Sequence, residues 1–255
     1  MNPIRVASVS FLNAKPLLEG LGENCEIELS LDVPSKLIDR LRDGSADVAL
    51  LPTIDYQMLD GLRIVPAGGI GCDGPTLTVR LFSRIPIAEI ATLSCDTDSH
   101  TSIALARIIL AESHGIQPEM KPLAAGGDSL LLIGDKVICE QPLGYEYQLD
   151  LGEAWKRLTG LPFVFAVWTA RADVALGELP SRLETAKRRG LENVDALVRD
   201  FALPRGWPAD IAREYLTRYL KYDIGETQLK AIRRFHQLAG YYGLIPSPPR
   251  PLRMI

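Results

Sequence analysis

Two apolar, strand-like segments constrain the fold of this chain more than any other feature. They are TLTVRLFSR at 76–84 and LPFVFAVWTAR at 161–171. Between them lies a self-contained run of alternating elements. The strand ATLSCD leads into a helix through SIALARIILAESHG, the strands EMKPLA and SLLLIGD follow, and LGEAWKRLTG closes as a short helix at Gly160. Before them, IRVASVS, CEIELSLDV, ADVALLPT and RIVPAGGIGC read as strands. Pro34 opens the helix PSKLIDRLRDG, in which Leu37, Ile38 and Leu41 share a face. This βαβ rhythm predicts an α/β fold with a mostly parallel sheet.

An α/β unit inserted between two long strands predicts two lobes joined by two crossings. The strand at 161–171 is expected to pair with the one at 76–84. One lobe then spans 1–82 plus 169–255 and the other 83–168. In such two-lobed binding folds the ligand sits in the cleft and hinge motion closes over it. A single doubly wound domain with a helical tail is the rival layout. From Leu176 to Gly243 the pattern is helical, with turn signals at Gly190, Pro204, Pro208 and Gly225, and PSPPRPL is expected to run extended over the surface.

The 255 residues carry a formal net charge of −4 and no long Lys/Arg tract, which argues against a nucleic-acid or anionic-membrane partner. The four cysteines form no CxxC pair, so neither a zinc site nor a disulfide framework is expected. The opening MNPIRVASVS has no signal-peptide pattern, and no apolar run approaches the roughly 18 residues needed to cross a bilayer. A cytoplasmic protein acting on a small molecule, as monomer or homodimer, is the expectation.

Familiar catalytic signatures are missing: there is no GxGxxG, Walker A, GxSxG or HExxH motif. His100, His114 and His236 offer no metal-ligand spacing, and the latter two read as helix-surface residues. An enzyme built on this chain is expected to need no metal or cofactor, and to work by positioning and polar preorganisation. Four stretches offer polar groups at strand or helix ends. In VSFLNAKPL, Asn13 follows the first strand. It is either a ligand contact or an Asx turn or cap, with Pro16 as the first helical residue and Lys15 solvated. In GCDGPTLT, Asp73-Gly74 forms a turn, after which Thr76 or Thr78 can aim a hydroxyl at the cleft. In DTDSHTS, hydroxyls and first-turn N–H groups offer a carboxylate pocket, or Asp98 or Ser99 merely caps the helix. In LLIGD, Gly134-Asp135 ends a buried strand where backbone can approach a ligand, or simply turns.

In that order, and joined by the long segment DLGEAWKRLTGLPFVFAVW, these stretches resemble the chorismate dehydratases of the futalosine route to menaquinone. The resemblance covers residues 4–171 and, more loosely, the helical C-terminus. It implies a type II periplasmic-binding-protein-like fold used as a cofactor-free lyase on chorismate. It also implies that Asn13 and Thr78 are catalytic. Substrate binding then falls to Ser10, Gly74, Ser99, His100, Thr101, Ser102, Gly134 and Asp135. The chain departs from the family pattern at Thr78 (Ser in the family), His100 (Arg) and Asp98 (Ser or Thr), and LAAGGDSLLL is short of an expected helix. A non-catalytic binder of a carboxylated aromatic metabolite, and a sister enzyme acting later in the pathway, are the alternatives.

Overall fold

The apolar run Phe163–Arg171 is the strand around which the larger sheet is built. In the computed structural model, which describes residues 3–23 and 25–255, the strands run β1 (Ile4–Val9), β2 (Ile27–Asp32), β3 (Val48–Pro52), β4 (Leu62–Cys72), β5 (Val79–Ser83), β6 (Thr92–Cys95), β7 (Glu119–Pro122), β8 (Ser129–Ile133), β9 (Tyr147–Asp150), β10 (Phe163–Arg171) and β11 (Leu220–Lys221). The helices are α1 (Leu37–Arg42), α2 (His100–His114), α3 (Asp135–Cys139), α4 (Leu151–Thr159), α5 (Leu179–Glu192), α6 (Val194–Leu197), α7 (Ala209–Glu214) and α8 (Glu226–Tyr241). The strands form two sheets, in the orders β11–β4–β10–β3–β1–β2 and β7–β6–β8–β5–β9. The larger sheet is parallel from β2 through β1 to β3, and β10 returns antiparallel. The fold is that of two-lobed periplasmic binding proteins, with a helical C-terminal region.

The expected pairing of the two bracketing strands is not what the structure has. β10 lies between β3 and β4, with Val167 opposite both Leu51 and Gly69. β5 sits in the other sheet, between β8 and β9. Val164, Val167, Trp168 and Ala170 are all buried, so β10 needs partners on both edges and cover on both faces, and only the centre of the larger sheet supplies them. The chain therefore changes sheets at 73–78 and 160–162, a few residues before the boundaries drawn from the sequence.

Two further expectations are corrected. Gly190 is no turn; it lies inside α5, where a Cβ would sit 2.2 Å from the Pro16 carbonyl oxygen, so its job is close packing of α5 on the segment that carries Asn13. His236 is no surface residue. It is buried on α8, with Nε2–H donating to the Thr53 carbonyl at 2.8 Å and Nδ1 accepting from the Gln57 amide at 2.8 Å. The same helix sends Phe235 into an aromatic cluster with Trp155 and Phe163, with Phe163–Phe235 ring centroids 5.0 Å apart, and so ties the C-terminus to both sheets. The proline-rich tail lies on the surface but bends at Ser247 and Pro248 rather than running extended throughout. It is pinned by Gln57, which accepts from Arg250 N–H and donates to its carbonyl, and by pairing of Met254 with Ile64. No helix among the described residues is long and apolar enough to cross a membrane.

Candidate active site

A cavity partly open to solvent lies between the two sheets, with about 590 Å³ of empty space when its open mouth is included. It is built at strand ends, where an open α/β sheet leaves room for a ligand. After β1 the chain does not wait for Pro16 to turn. It enters a 3₁₀ turn over Leu12–Leu17 that already contains Asn13. Pro16 is tolerated inside because such a short turn asks for few i→i+3 bonds. At its ends, Ala14 N–H donates to the Phe11 carbonyl and Leu18 N–H to the Lys15 carbonyl. Asn13 lines the cavity, and its Oδ1 is buried with no hydrogen-bond donor among the described residues. Such an oxygen asks for a partner. Lys15 turns aside to lie over the Phe201 ring, 4.5 Å from its centroid, where burial and the nearby Arg205 lower its pKa.

The loop before β5 is held by one carboxylate. Asp150 accepts N–H bonds from Thr76 (3.0 Å) and Leu77 (2.8 Å), and caps α4 by accepting from Gly152 (3.0 Å) and Glu153 (3.1 Å). Leu77 has φ +69°, unusual for a residue with a Cβ, and the Asp150 bonds offset the cost of that conformation. Gly152 is required here, since a Cβ would meet Cys72 Sγ and the Gly74 carbonyl, each at 2.6 Å. DLGEAW thus acts at a distance. It shapes the 74–78 loop so that Thr76 and Thr78 face the cavity.

Opposite stands the start of α2. Ser99 caps the helix, its Oγ accepting from Ser102 N–H at 3.2 Å and donating to Ser102 Oγ at 2.9 Å, and both serines line the cavity. Helix N-termini carry unpaired N–H groups and positive potential, which suit an anion. Gly134 completes this side, its N–H donating to the Thr78 carbonyl at 2.8 Å.

Of the residues singled out from sequence, Asn13, Thr78, Ser99, Ser102 and Gly134 meet at the cavity, and five others do not line it. The Ser10 carbonyl accepts from Arg205 at 3.5 Å. Gly74, with φ +114°, makes the turn that packs on Gly152. Thr101 Oγ1 accepts from Ile54 N–H at 3.3 Å. His100 Nδ1 binds the buried Asp55 carboxylate at 2.9 Å and faces a separate outer groove. Asp135 accepts from Trp207 Nε1–H at 2.8 Å and pairs with Arg205 at 3.6 Å. Asp98 also stays out of the cavity lining, so no carboxylate opposes an anion there.

Tyr215 was not foreseen. It is fully enclosed at the start of a π-helical turn, lines the cavity and shares a 2.7 Å hydrogen bond with Thr78 Oγ1. Among the described residues lining the cavity it is the one titratable side chain. Burial raises its pKa well above the ordinary tyrosine value, with Thr78 and the adjacent Asn13 amide opposing the rise, so the phenol stays protonated. The segment EYLTRYL holds no signal of this beyond a helical apolar face.

A family model described as menaquinone biosynthesis matches residues 4–241. The chain belongs to that family. A chorismate dehydratase of Thermus thermophilus is 27% identical to it over 232 residues, covering 82% of this chain and 85% of that protein. One from Campylobacter jejuni is 26% identical over 233 residues, covering 88% of each. Among solved structures, the alkanesulfonate-binding protein of Xanthomonas axonopodis superposes with a TM-score of 0.73 at 13% identity, over 98% of this chain and 96% of that one. At that identity the likeness is one of fold.

Proposed function

We propose that this menaquinone-biosynthesis protein is a lyase. It dehydrates chorismate to 3-[(1-carboxyvinyl)oxy]benzoate, the opening step of the futalosine route, in the cytoplasm and as monomer or homodimer. The observation that carries the reading is the cavity itself. It offers neutral donors, one unpaired amide oxygen and a helix N-terminus, and no carboxylate, lysine or histidine among its described lining residues. The names of the two relatives point the same way.

The reaction needs little from a protein base. The C3 proton of chorismate is acidified through the diene by the ring carboxylate, and loss of the C4 hydroxyl makes the ring aromatic. On our reading the enolpyruvyl carboxylate of the substrate takes the C3 proton. The C3–H electron pair enters the ring as the C4–O bond breaks, and the departing hydroxide leaves as water with that proton. The protein holds a dianion in one geometry and stabilises charge as it develops. Ser99, Ser102 and the α2 N-terminus grip one carboxylate, while Asn13 and Thr78 bracket the C3–C4 bond. The lobe division drawn from sequence is proposed to close around this substrate.

The test is incubation of the purified protein with chorismate, products being followed by chromatography with mass detection. The expected product is lighter by one water and keeps the enolpyruvyl group. Asn13→Ala is expected to lower kcat by about a hundredfold or more, the usual consequence of losing one preorganised polar contact. Wild-type protein that leaves chorismate to its spontaneous decay overturns the reading.

A further inference from the structure

Thr78 and Asn13 sit on different elements and line one cavity with Tyr215, a side chain that neither motif contains. Tyr215 Oη lies 2.7 Å from Thr78 Oγ1. Its ring is held from behind: Trp207 stacks on it with centroids 5.1 Å apart, and Asp135 of α3 anchors the Trp207 indole N–H. This phenol is therefore held between Thr78 and a stacked indole, and at 2% exposure its hydrogen bonds are made mainly inside the protein.

The direction of those bonds follows from acidity. A phenol is a far stronger acid than an aliphatic alcohol, so in a phenol–alcohol pair the phenol donates and the alcohol accepts. With the phenol proton committed to Thr78, the Thr78 hydroxyl accepts from Tyr215 and keeps its own proton to donate. Thr78 lines the cavity, so that proton is available to a bound hydroxyl, and hydrogen bonds in such a chain polarise one another.

We propose that Tyr215 is a positioning residue, whose phenol orients the Thr78 hydroxyl as a donor to the C4 oxygen that leaves chorismate. The inference rests on the dehydratase reading. Donation from Thr78 strengthens as charge gathers on the departing oxygen, so the benefit appears in kcat more than in KM. The family's serine at position 78 gives the same hydroxyl, and the added methyl of threonine limits its rotation.

The experiment is a kinetic double-mutant cycle on chorismate with wild type, Tyr215→Phe, Thr78→Val and the double variant, melting temperatures being measured for each. Tyr215→Phe keeps the stacked ring and removes the hydroxyl alone. Its kcat is expected to fall about tenfold, the worth of one ordinary hydrogen bond, with KM within about twofold. In the Thr78→Val background the same change is expected to alter kcat by less than about twofold, because its target is gone. In a Thr78→Ser background the tenfold effect should return. A Tyr215→Phe enzyme as fast as wild type overturns the inference while leaving the dehydratase reading intact. So does a tenfold loss that persists without the Thr78 hydroxyl. A wild-type protein that makes no dehydrated product overturns the dehydratase reading, and the inference with it.

Discussion

One turn of α2 serves two unlike regions of the molecule. Ser99 and Ser102, three apart and so on one face, look into the cavity between the sheets. His100, one step round, looks into a broader groove of about 1260 Å³ that also carries Asp39, Arg42, Asp55 and Arg107. The cavity is smaller and lined by hydroxyls, amide and apolar groups; the groove is open and charged. The difference teaches how the proposed dianionic substrate would be held without a salt bridge. Formal charges sit on the solvent side of α2, where water screens them. The neutral helix end faces inward, where its N–H groups act in a drier medium.

The contrast is broken most severely by moving a charge across the helix. Ser102→Asp puts a carboxylate where the substrate carboxylate is proposed to bind. Two like charges about 4 Å apart repel by about 4 kcal/mol at the effective dielectric of a protein surface. KM for chorismate is expected to rise by several hundredfold, and a melting temperature measured alongside separates this from the cost of placing a charge at a buried position. An unchanged KM, read from steady-state kinetics, would place the carboxylate site away from α2.

How much of this was legible beforehand follows from what a local pattern can encode. The βαβ rhythm, the α4 helix ending at Gly160, and the cavity positions of Asn13, Thr78, Ser99, Ser102 and Gly134 all lie within single segments. The partners of β10 were not legible, because an apolar run declares that it is buried and not which strands cover it. Gly190 was misread because one letter serves both turns and close approaches, and only the neighbouring Pro16 distinguishes them. DTDSHTS reads as one unit, although a helix turns 100° per residue and divides it between two regions. Tyr215 was missed because nothing local connects residue 215 to residue 78.

The histidines sharpen the same contrast, and the buried one has the larger effect on stability. His236 is held neutral between a donor and an acceptor, and burial pushes its pKa down to about 4, against a partial opposing effect of the Thr53 carbonyl. Its unfolded form takes up a proton near pH 6.5, so stability from this residue is complete above that pH. It is lost as pH falls through 6.5 towards 4, and amounts to about 3 kcal/mol over the interval. Urea unfolding between pH 7 and pH 4 should show the decline. His236→Gln should flatten it, and an equally steep decline in that variant would place the acid sensitivity elsewhere.

The smallest effect belongs to the groove, and it runs the other way with pH. The Asp55 hydrogen bond raises the His100 pKa, while burial raises that of Asp55 despite the help of the histidine. The two shifts agree in consequence. A raised histidine pKa gives stability that is full below about 6.5 and lost as pH climbs through the folded value, and a carboxylate that resists ionisation loses stability as pH rises through its own raised pKa. Because the His100 side chain is 44% exposed, solvent screens much of its share. His100→Ala leaves the Asp55 carboxylate without its donor and is expected to cost about 1–3 kcal/mol in unfolding free energy at neutral pH. If the groove is distinct from the substrate site, kcat and KM should stay within about twofold of wild type. A large rise in KM with unchanged stability would reverse the assignment, because it would mean that the imidazole swings from Asp55 into the cavity when the substrate binds. NMR titration of the His100 ring tests the pairing directly, since Asp55→Asn should return its pKa towards the ordinary histidine value.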